Sequence, residues 1–244
     1  RVLGLIEHML KAGYVEENRL FPSEVGTIQG GVISPLLSNV LLTPFDKEMR
    51  FKGYRLTRWA DDWVVTCKSR AEAEQVLKTA KRILEKLGVT INAKKTRIVH
   101  VSQGFEFLGF KIGRGKRKLY LPEANIKTKL RSSNLYAIPA DKSLKRFQEA
   151  VRQKTQRKIP LRSQQIIEEL SPLIRGWGEY YKRANVRRIF NVLDRWIIRR
   201  IWSHRYKRWR CAGWKTLPTS KLREMGLVSL ISMIPSLQAK KAHP

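Results

Sequence analysis

The sequence predicts an α+β fold in which a mixed domain is followed by a helical one. Short runs rich in β-branched and aromatic residues alternate with helical patterns up to about residue 135. From 142 to 210 the apolar spacing is helical, with breaks at 158–160 and 184–185. We therefore expect a mixed domain at 1–138, a helical domain at 139–215 and a basic segment at 216–244.

Local signals mark the ends of the first elements. An opening helical pattern ends near Gly13, and Ser34 with Pro35 predicts the start of a second helix, with Ser34 as N-cap. The β-rich runs 54–59 and 63–67 then predict a hairpin. Two aspartates separate these runs, so the sequence places a pair of carboxylates at the bend.

A second set of signals follows the hairpin. Ser69 and Glu72 have the spacing of a capping box, which predicts a helix that begins there and ends at Gly88. Beyond Gly88 three further strands are expected, at 89–92, 97–101 and 105–112. The helical region then begins after Pro139.

The net charge restricts the class of function. Fifty Lys and Arg residues against twenty Asp and Glu residues give a net charge of +30, and 42% of the residues are hydrophobic. A disordered basic tail would lack this apolar content. The large excess of cations also argues against an acidic enzyme that acts on small molecules. The composition therefore indicates a folded protein that acts on a polyanion, most commonly a nucleic acid.

Other class markers are mostly negative. Cys67 and Cys211 are far apart, which gives neither a CxxC metal site nor a disulfide framework and favours a reducing compartment, cytoplasmic or organellar. No apolar run reaches the roughly 20 residues that span a bilayer, so no membrane association is expected. A helical pattern begins directly at Arg1, and we expect the chain to be part of a longer protein.

Asp61 and Asp62 are the strongest candidates for chemistry. Adjacent carboxylates at a hairpin bend can share one site, and Mg²⁺ prefers oxygen ligands from one or two carboxylates together with substrate phosphates. Two such ions can hold the attacking and leaving oxygens of a phosphoryl transfer. A bare Asp-Asp pair is more often a solvated turn. The flanking Trp59 and Trp63 favour a cleft instead.

Five motifs occur in one order along the chain. They are Gln29-Gly30-Gly31-Val32-Ile33-Ser34-Pro35, Ala60-Asp61-Asp62, Asn92-Ala93-Lys94-Lys95-Thr96, Phe107-Leu108-Gly109-Phe110, and Ile174-Arg175-Gly176-Trp177-Gly178-Glu179-Tyr180-Tyr181. The first four resemble the palm blocks of a group II intron reverse transcriptase, also called a maturase. The fifth resembles the signature of the maturase-specific thumb region of that family.

The resemblance implies a right-hand polymerase palm, an antiparallel sheet with packed helices, followed by a helical thumb. It also makes the basic segment 216–244 a candidate for the start of a DNA-binding region. The implied activity is RNA-directed DNA polymerisation with dNTPs and two Mg²⁺ ions, for which Mn²⁺ can substitute. Intron RNA binding, assistance of splicing and retrotransposition are implied with it. The implied partners are the intron RNA, an RNA template with its DNA primer, the target DNA, and an upstream fingers and palm polypeptide.

The resemblance also assigns roles to individual residues. Asp61 and Asp62 would be catalytic metal ligands, and Phe107–Phe110 the primer grip. The nucleotide and template contacts would be Gln29, Gly30, Gly31, Ser34, Trp59 and Lys95. Taken alone, the glycine motif could be an ordinary loop, Lys95 a surface lysine, and Phe107–Phe110 plain core.

Two departures from the family pattern stand out. Trp59 occupies a position where the family usually has Tyr, which puts contacts of that hydroxyl in doubt. A further metal-binding Asp from an earlier strand is expected outside this chain, together with the fingers. The nearby Asp46 is a poor substitute.

The helical region carries a predicted RNA-binding surface. At 100° per residue Arg188, Arg195 and Arg199 share a narrow arc, and an apolar face lies opposite. The full predicted set is Arg175, Lys182, Arg183, Arg187, Arg188, Arg195 and Arg199. Asp194 is the only acid between 180 and 210. Alternative functions are a non-catalytic RNA-binding maturase or remnant, which tends to lose the Asp pair, and a generic basic chaperone, which leaves the ordered motifs unexplained.

Overall fold

A computed structural model describes residues 2–16, 19–21, 33–115, 117–121, 126–130, 135–209 and 213–235. The chain divides into two compact units, Arg1–Ile98 and Val99–Pro244. No helix within these described ranges is both long and apolar enough to cross a membrane. The predicted family domains, with a boundary at residue 138, stay a prediction.

The first unit consists of helices and two small antiparallel hairpins. Its elements are α1 Val2–Lys11, β1 Tyr14–Glu16, β2 Arg19–Phe21, α2 Ser34–Phe51, β3 Arg55–Trp59, β4 Asp62–Thr66 and α3 Arg70–Lys86. Strands β3 and β4 pair from Arg55 with Thr66 to Trp59 with Asp62, which confirms the predicted hairpin. The N-cap of α2 is Ile33 and not Ser34, because the Ile33 carbonyl already accepts the first helical hydrogen bond, from the Leu37 amide.

The core of the first unit lies between α2, α3 and the β3–β4 hairpin. Phe45 and Met49 of α2 are fully buried, one helical turn apart, and they pack with Ala80 and Ile83 of α3. The Trp63 ring of β4 lies 5.6 Å from the Phe45 ring, centroid to centroid. The hairpin is therefore anchored to both helices through one apolar side.

The predicted capping box is only half formed, because Glu72 bonds the Lys68 amide and not the Ser69 amide, whereas the predicted end of α3 is confirmed. The Ser69 hydroxyl accepts a hydrogen bond from the Glu72 amide, and the Glu72 carboxylate accepts one from the Lys68 amide. Gly88 has a φ of +73°, and the Val89 amide donates a hydrogen bond to the Leu84 carbonyl. This is the bond pattern of a glycine-terminated helix.

Two of the three strands predicted after Gly88 are absent from the described residues. Residues 89–92 and 97–101 form no strand. Their backbone groups make turn bonds instead, including those from the Lys95 and Thr96 amides to the Asn92 carbonyl. The third expected strand is a hairpin of two strands, because Leu108 and Gly109 adopt positive φ angles and reverse the chain.

The second unit combines a three-stranded antiparallel sheet, a separate hairpin and a group of helices. The strands are β5 Phe105–Phe107, β6 Phe110–Arg114, β7 Arg117–Leu121, β8 Ile126–Leu130 and β9 Leu135–Pro139. The helices are α4 Asp141–Lys154, α5 Ser163–Tyr181, α6 Arg187–Tyr206, α7 Gly213–Thr216, α8 Thr219–Glu224 and a 3₁₀ helix at Ile231–Met233. The sheet order is β5-β6-β9, and β7 pairs with β8. The α+β fold class is thereby confirmed.

Helices α4, α5 and α6 enclose the core of the second unit. Its largest fully buried side chains include Ile166, Leu170 and Ile174 of α5 and Phe190 of α6. The three residues of α5 lie four positions apart, which places them on one apolar face of that helix.

Asp194 is a buried acid that connects α6 to the segment 229–231. The carboxylate accepts hydrogen bonds from the Ser229 hydroxyl at 2.7 Å and from the amides of Leu230 at 2.9 Å and Ile231 at 3.2 Å. Arg223 lies 3.8 Å from it. The only acid in the basic stretch is therefore a structural tether.

Candidate active site

The Asp pair lies at the bend of the β3–β4 hairpin. Ala60 opens the bend with a φ of +51°, Asp61 follows, and Asp62 is the first residue of β4. Both aspartates are exposed, and neither carboxylate forms a hydrogen bond or ion pair with another described residue. Two acceptor-only groups are thus presented together on a short, anchored turn.

The expected cleft around this pair is not found among the described residues. Trp59 is 70% exposed, because side chains alternate along β3 and its face is opposite to the one that packs on the helices. Trp63 of β4 is partly buried against Phe45 and belongs to the core. Only Trp63 therefore supports the hairpin from the core side, and Trp59 leaves the carboxylates open.

Arg58 fixes the bend to α2. Its Nε and one terminal nitrogen donate to the two carboxylate oxygens of Asp46 at 2.7 and 2.6 Å. The other terminal nitrogen donates to the Asn39 side chain at 2.9 Å and to the Ala60 carbonyl at 2.6 Å. Since the Ala60 carbonyl directly precedes Asp61, one guanidinium group ties the turn of the Asp pair to a helix.

The electrostatics of Arg58 agree with this role. The hydrogen bond to Asp46 raises the pKa of Arg58, although partial burial opposes it. Both carboxylate oxygens of Asp46 accept from Arg58 in this bidentate pair, so the guanidinium balances the charge of Asp46. Sequence reasoning missed Arg58. The available signal was an arginine on the inward face of a strand.

The other predicted nucleotide contacts are only partly described. Gln29, Gly30 and Gly31 lie outside the described residues. Ser34 is the partly buried first residue of α2, and Lys95 is exposed in a turn in which the Asn92 side chain accepts from the Lys95 amide at 3.3 Å. No group of three or more His, Cys, Asp or Glu residues in the described parts of the chain could hold a metal ion.

The predicted primer grip, Phe107–Phe110, lies in the second unit and contacts the predicted thumb signature. The Tyr180 hydroxyl donates to the Leu108 carbonyl at 2.8 Å, and the Tyr181 hydroxyl donates to the Gly109 carbonyl at 3.0 Å. The Phe110 ring packs against both tyrosine rings. Two motifs that are 72 residues apart in sequence therefore form one structural element.

The basic face of α6 is as the spacing predicted. Arg188, Arg195 and Arg199 are exposed, whereas Ile189 and Leu193 on the opposite side are fully buried. Of the remaining predicted RNA contacts, Arg175, Arg183 and Arg187 are exposed, and Lys182 is partly buried in an ion pair with Glu179.

Two family models match this chain in sequence. The model of the reverse transcriptase (RNA-dependent DNA polymerase) matches residues 2–112, and that of the group II intron maturase-specific domain matches residues 144–221. The order of the two matches is that of the predicted palm and thumb. The chain therefore carries a reverse transcriptase family region followed by a group II intron maturase-specific region.

Curated proteins with similar sequences agree with these two matches. "Protein YkfC" of Escherichia coli (strain K12) is 32% identical over 155 residues, which are 49% of this chain and 40% of that protein. The "Uncharacterized 91 kDa protein in cob intron" of Schizosaccharomyces pombe is 24% identical over 265 positions, covering 82% of this chain and 33% of the relative.

"Group II intron-encoded protein LtrA" of Lactococcus lactis subsp. cremoris is 25% identical over 173 residues, 44% of this chain and 29% of that protein. The chain thus spans less than half of the length of each of these relatives.

Proposed function

We propose that this chain supplies the palm and thumb of an RNA-directed DNA polymerase that extends a primer on an RNA template. The observation that carries the proposal is the unpaired carboxylate pair, Asp61 and Asp62, on an anchored hairpin within the part that matches the reverse transcriptase family. In the proposed reaction the primer 3′-oxygen bonds to the α-phosphorus of a dNTP. The bond to pyrophosphate breaks, and the hydroxyl proton leaves to solvent.

The donor set of the bend fits Mg²⁺. The two exposed carboxylates, which have no partner among the described residues, are hard oxygen ligands. Mg²⁺ typically binds one or two such groups and completes its shell with water and substrate phosphates. Asp61 and Asp62 would hold the metal, with Mn²⁺ as a substitute. When bound, two such ions would stabilise negative charge on the attacking and leaving oxygens.

The other residues in this proposal bind and orient the substrates. Lys95 is an exposed cation that can neutralise a triphosphate and give a proton to the leaving pyrophosphate. Trp59 offers an exposed aromatic plane for a sugar or base, without the hydroxyl that the family usually has there. The turn at Leu108 and Gly109 would contact the primer end.

We further propose that the basic helices bind intron RNA and assist splicing, and that target DNA and the template–primer duplex are partners. The net charge of +30 and the exposed arginines of α6 support this binding, since phosphate contacts dominate the affinity of proteins for nucleic acids. An upstream fingers and palm polypeptide would complete the polymerase, because the curated relatives are much longer than this chain. The proposed setting is the bacterial cytoplasm or an organelle.

The polymerase proposal is tested by changing Asp61 and Asp62 to Asn. We expect metal-dependent primer extension, measured on an RNA template with the upstream polypeptide supplied, to fall by about 100-fold or more. RNA affinity should stay unchanged, because it is distributed over many cations. Glu74→Gln, which alters an exposed acid of α3, is the matched control. Near-normal extension by the double variant would refute the assignment.

A non-catalytic RNA-binding maturase is the second candidate, favoured by the exposed arginine face of α6. Changing Arg188, Arg195 and Arg199 to Gln should weaken RNA binding and lower the log–log salt slope by roughly 0.7–0.9 per lost phosphate contact. The control is a variant with the same charge loss on α3, in which Lys78, Lys81 and Arg82 become Gln. Equal effects of the two variants would mean that α6 is not the RNA surface. RNA binding without extension by the wild type would favour this second candidate.

A further inference from the structure

The turn between β5 and β6 is held in a conformation that it would not favour alone. Leu108 has a φ of +48° and Gly109 a φ of +71°. Glycine tolerates this left-handed region, but a branched residue such as leucine pays about 1 kcal/mol or more to enter it. A strained residue of this kind persists only where its surroundings determine the conformation strongly.

Donors from α5 and from the residue that precedes α4 satisfy both carbonyls of this turn. The Tyr180 and Tyr181 hydroxyls of α5 reach the Leu108 and Gly109 carbonyls at 2.8 and 3.0 Å, respectively. The Ala140 amide, just before α4, donates to the Gly109 carbonyl at 2.8 Å. Each carbonyl of the turn is therefore fixed by a group outside the hairpin.

Aromatic packing continues this connection into the core. The Phe110 ring lies 5.3 Å from the Tyr180 ring and 4.8 Å from the Tyr181 ring, measured between centroids. Trp177, one turn earlier on α5, lies 4.7 Å from Tyr181 and 4.5 Å from Phe147 of α4. A movement of α5 would thus be transmitted to the turn through rings as well as hydrogen bonds.

The side chains at this contact leave little freedom. A β-carbon on Gly109 would lie 2.9 Å from the Tyr181 hydroxyl and 3.2 Å from the Ser143 hydroxyl. Burial raises the pKa of Tyr181, so its hydroxyl stays protonated and able to donate at neutral and mildly alkaline pH.

We propose that Tyr180 and Tyr181 are positioning residues that hold the Leu108–Gly109 turn against the primer, so that helix α5 of the thumb sets the orientation of the primer 3′ end. The inference rests on the proposed polymerase function and adds to it the residues that fix its primer contact. Small errors in the placement of a reacting group reduce turnover strongly even where binding persists.

Changing both tyrosines to Phe removes the two hydroxyls and keeps the ring packing. In primer extension with the upstream polypeptide supplied, we expect kcat to fall about 10- to 100-fold, while the KM for dNTP stays within about twofold. Tyr206→Phe is the matched control. It removes a hydroxyl that bonds Thr216 elsewhere in the same unit, and it should leave kcat within about twofold. Wild-type kcat in the double variant would overturn the inference.

A second measurement separates this inference from the polymerase proposal. Hydrogen exchange of the amides at 108–110 should be about tenfold faster in the double variant than in the wild type, whether or not the protein extends primers. If the wild type extends no primer, the polymerase proposal fails. Hydrogen exchange alone then tests whether the two tyrosines hold the Leu108–Gly109 turn. Unchanged exchange in the double variant would refute the inference that the tyrosines hold this turn.

The steric contact at Gly109 offers an independent check. Gly109→Ala should slow primer extension, and adding Tyr181→Phe should restore part of the lost rate, because it removes the hydroxyl that the new methyl group meets at 2.9 Å. Strictly additive losses would contradict the coupling.

Discussion

Replacing Arg58 by methionine is expected to destabilise the hairpin that carries the Asp pair by about 2–3 kcal/mol. The Arg58 side chain is only 8% exposed, and its loss leaves the Asp46 carboxylate, which is 20% exposed, without its bidentate partner. Breaking a fully buried ion pair costs about 3–5 kcal/mol, and the partial solvent access of Asp46 lowers that figure. The hydrogen bonds to Asn39 and Ala60 are lost as well.

Urea unfolding followed by circular dichroism measures this loss. Arg70→Met is the matched control, because Arg70 forms an exposed i,i+4 pair with Glu74 and should change the free energy of unfolding by less than about 1 kcal/mol. A combined Arg58→Met and Asp46→Leu variant should recover most of the stability, since no buried charge is then left unpaired.

The combined variant also separates stability from positioning. It lacks the donor that holds the Ala60 carbonyl, so primer extension should stay well below the wild-type rate even though the fold is restored. The raised pKa of Arg58 keeps it protonated, and the stabilisation is lost only as pH rises through strongly alkaline values. The loss of unfolding free energy caused by Arg58→Met should therefore be constant from about pH 6 to 9. Arg58→Met with wild-type stability would refute the reasoning.

Three further predictions concern packing and reactivity. Asp194→Ala should lower the free energy of unfolding by about 3 kcal/mol, because three donors lose their acceptor, and an unchanged melting temperature would argue against the tether. Gly178→Ala should cost about 1–3 kcal/mol, since the new methyl group would lie 2.6 Å from the Met233 sulfur. Its control, Gly176→Ala, meets no atom within 4 Å and should be neutral or stabilising, and equal effects would contradict this account. Burial raises the pKa of Cys67, so iodoacetamide should modify it more slowly at about pH 8 than a cysteine in a short peptide, as mass spectrometry would show. Modification of Cys67 as fast as that of the peptide cysteine would contradict the raised pKa.

Local signals predicted most of the helices and the hairpin of the Asp pair. Capping residues, glycine ends and apolar spacing act within a few residues, as Ser69 and Gly88 show. The strands expected at 89–92 and 97–101 were wrong, because short apolar runs leave the backbone free to satisfy its polar groups in turns. The described residues form no cleft around the exposed Asp61 and Asp62, so the expected cleft stays a prediction.

The groups that fix the candidate site could not be predicted in the same way. The Asp pair stands out by its spacing and by its resemblance to a family. The roles of Arg58 and Tyr181 depend on bonds that span 12 and 72 residues, and nothing local in the sequence specifies these partners. Tyr180 and Tyr181 belonged to a recognised signature, but their contact with the Leu108–Gly109 turn appears only in the folded chain.

The grouping of the 105–114 hairpin with the helices that follow it has a consequence for inheritance by recombination. A crossover near residue 138 would separate the Leu108–Gly109 turn from the tyrosines that hold it, whereas one near residue 98 would exchange the turn and its supporting helices as one cassette. Chimeras between members of this family should therefore tolerate the junction at 98 better than the one at 138. In such exchanges the hairpin proposed to contact the primer would be inherited with the helices of the second unit.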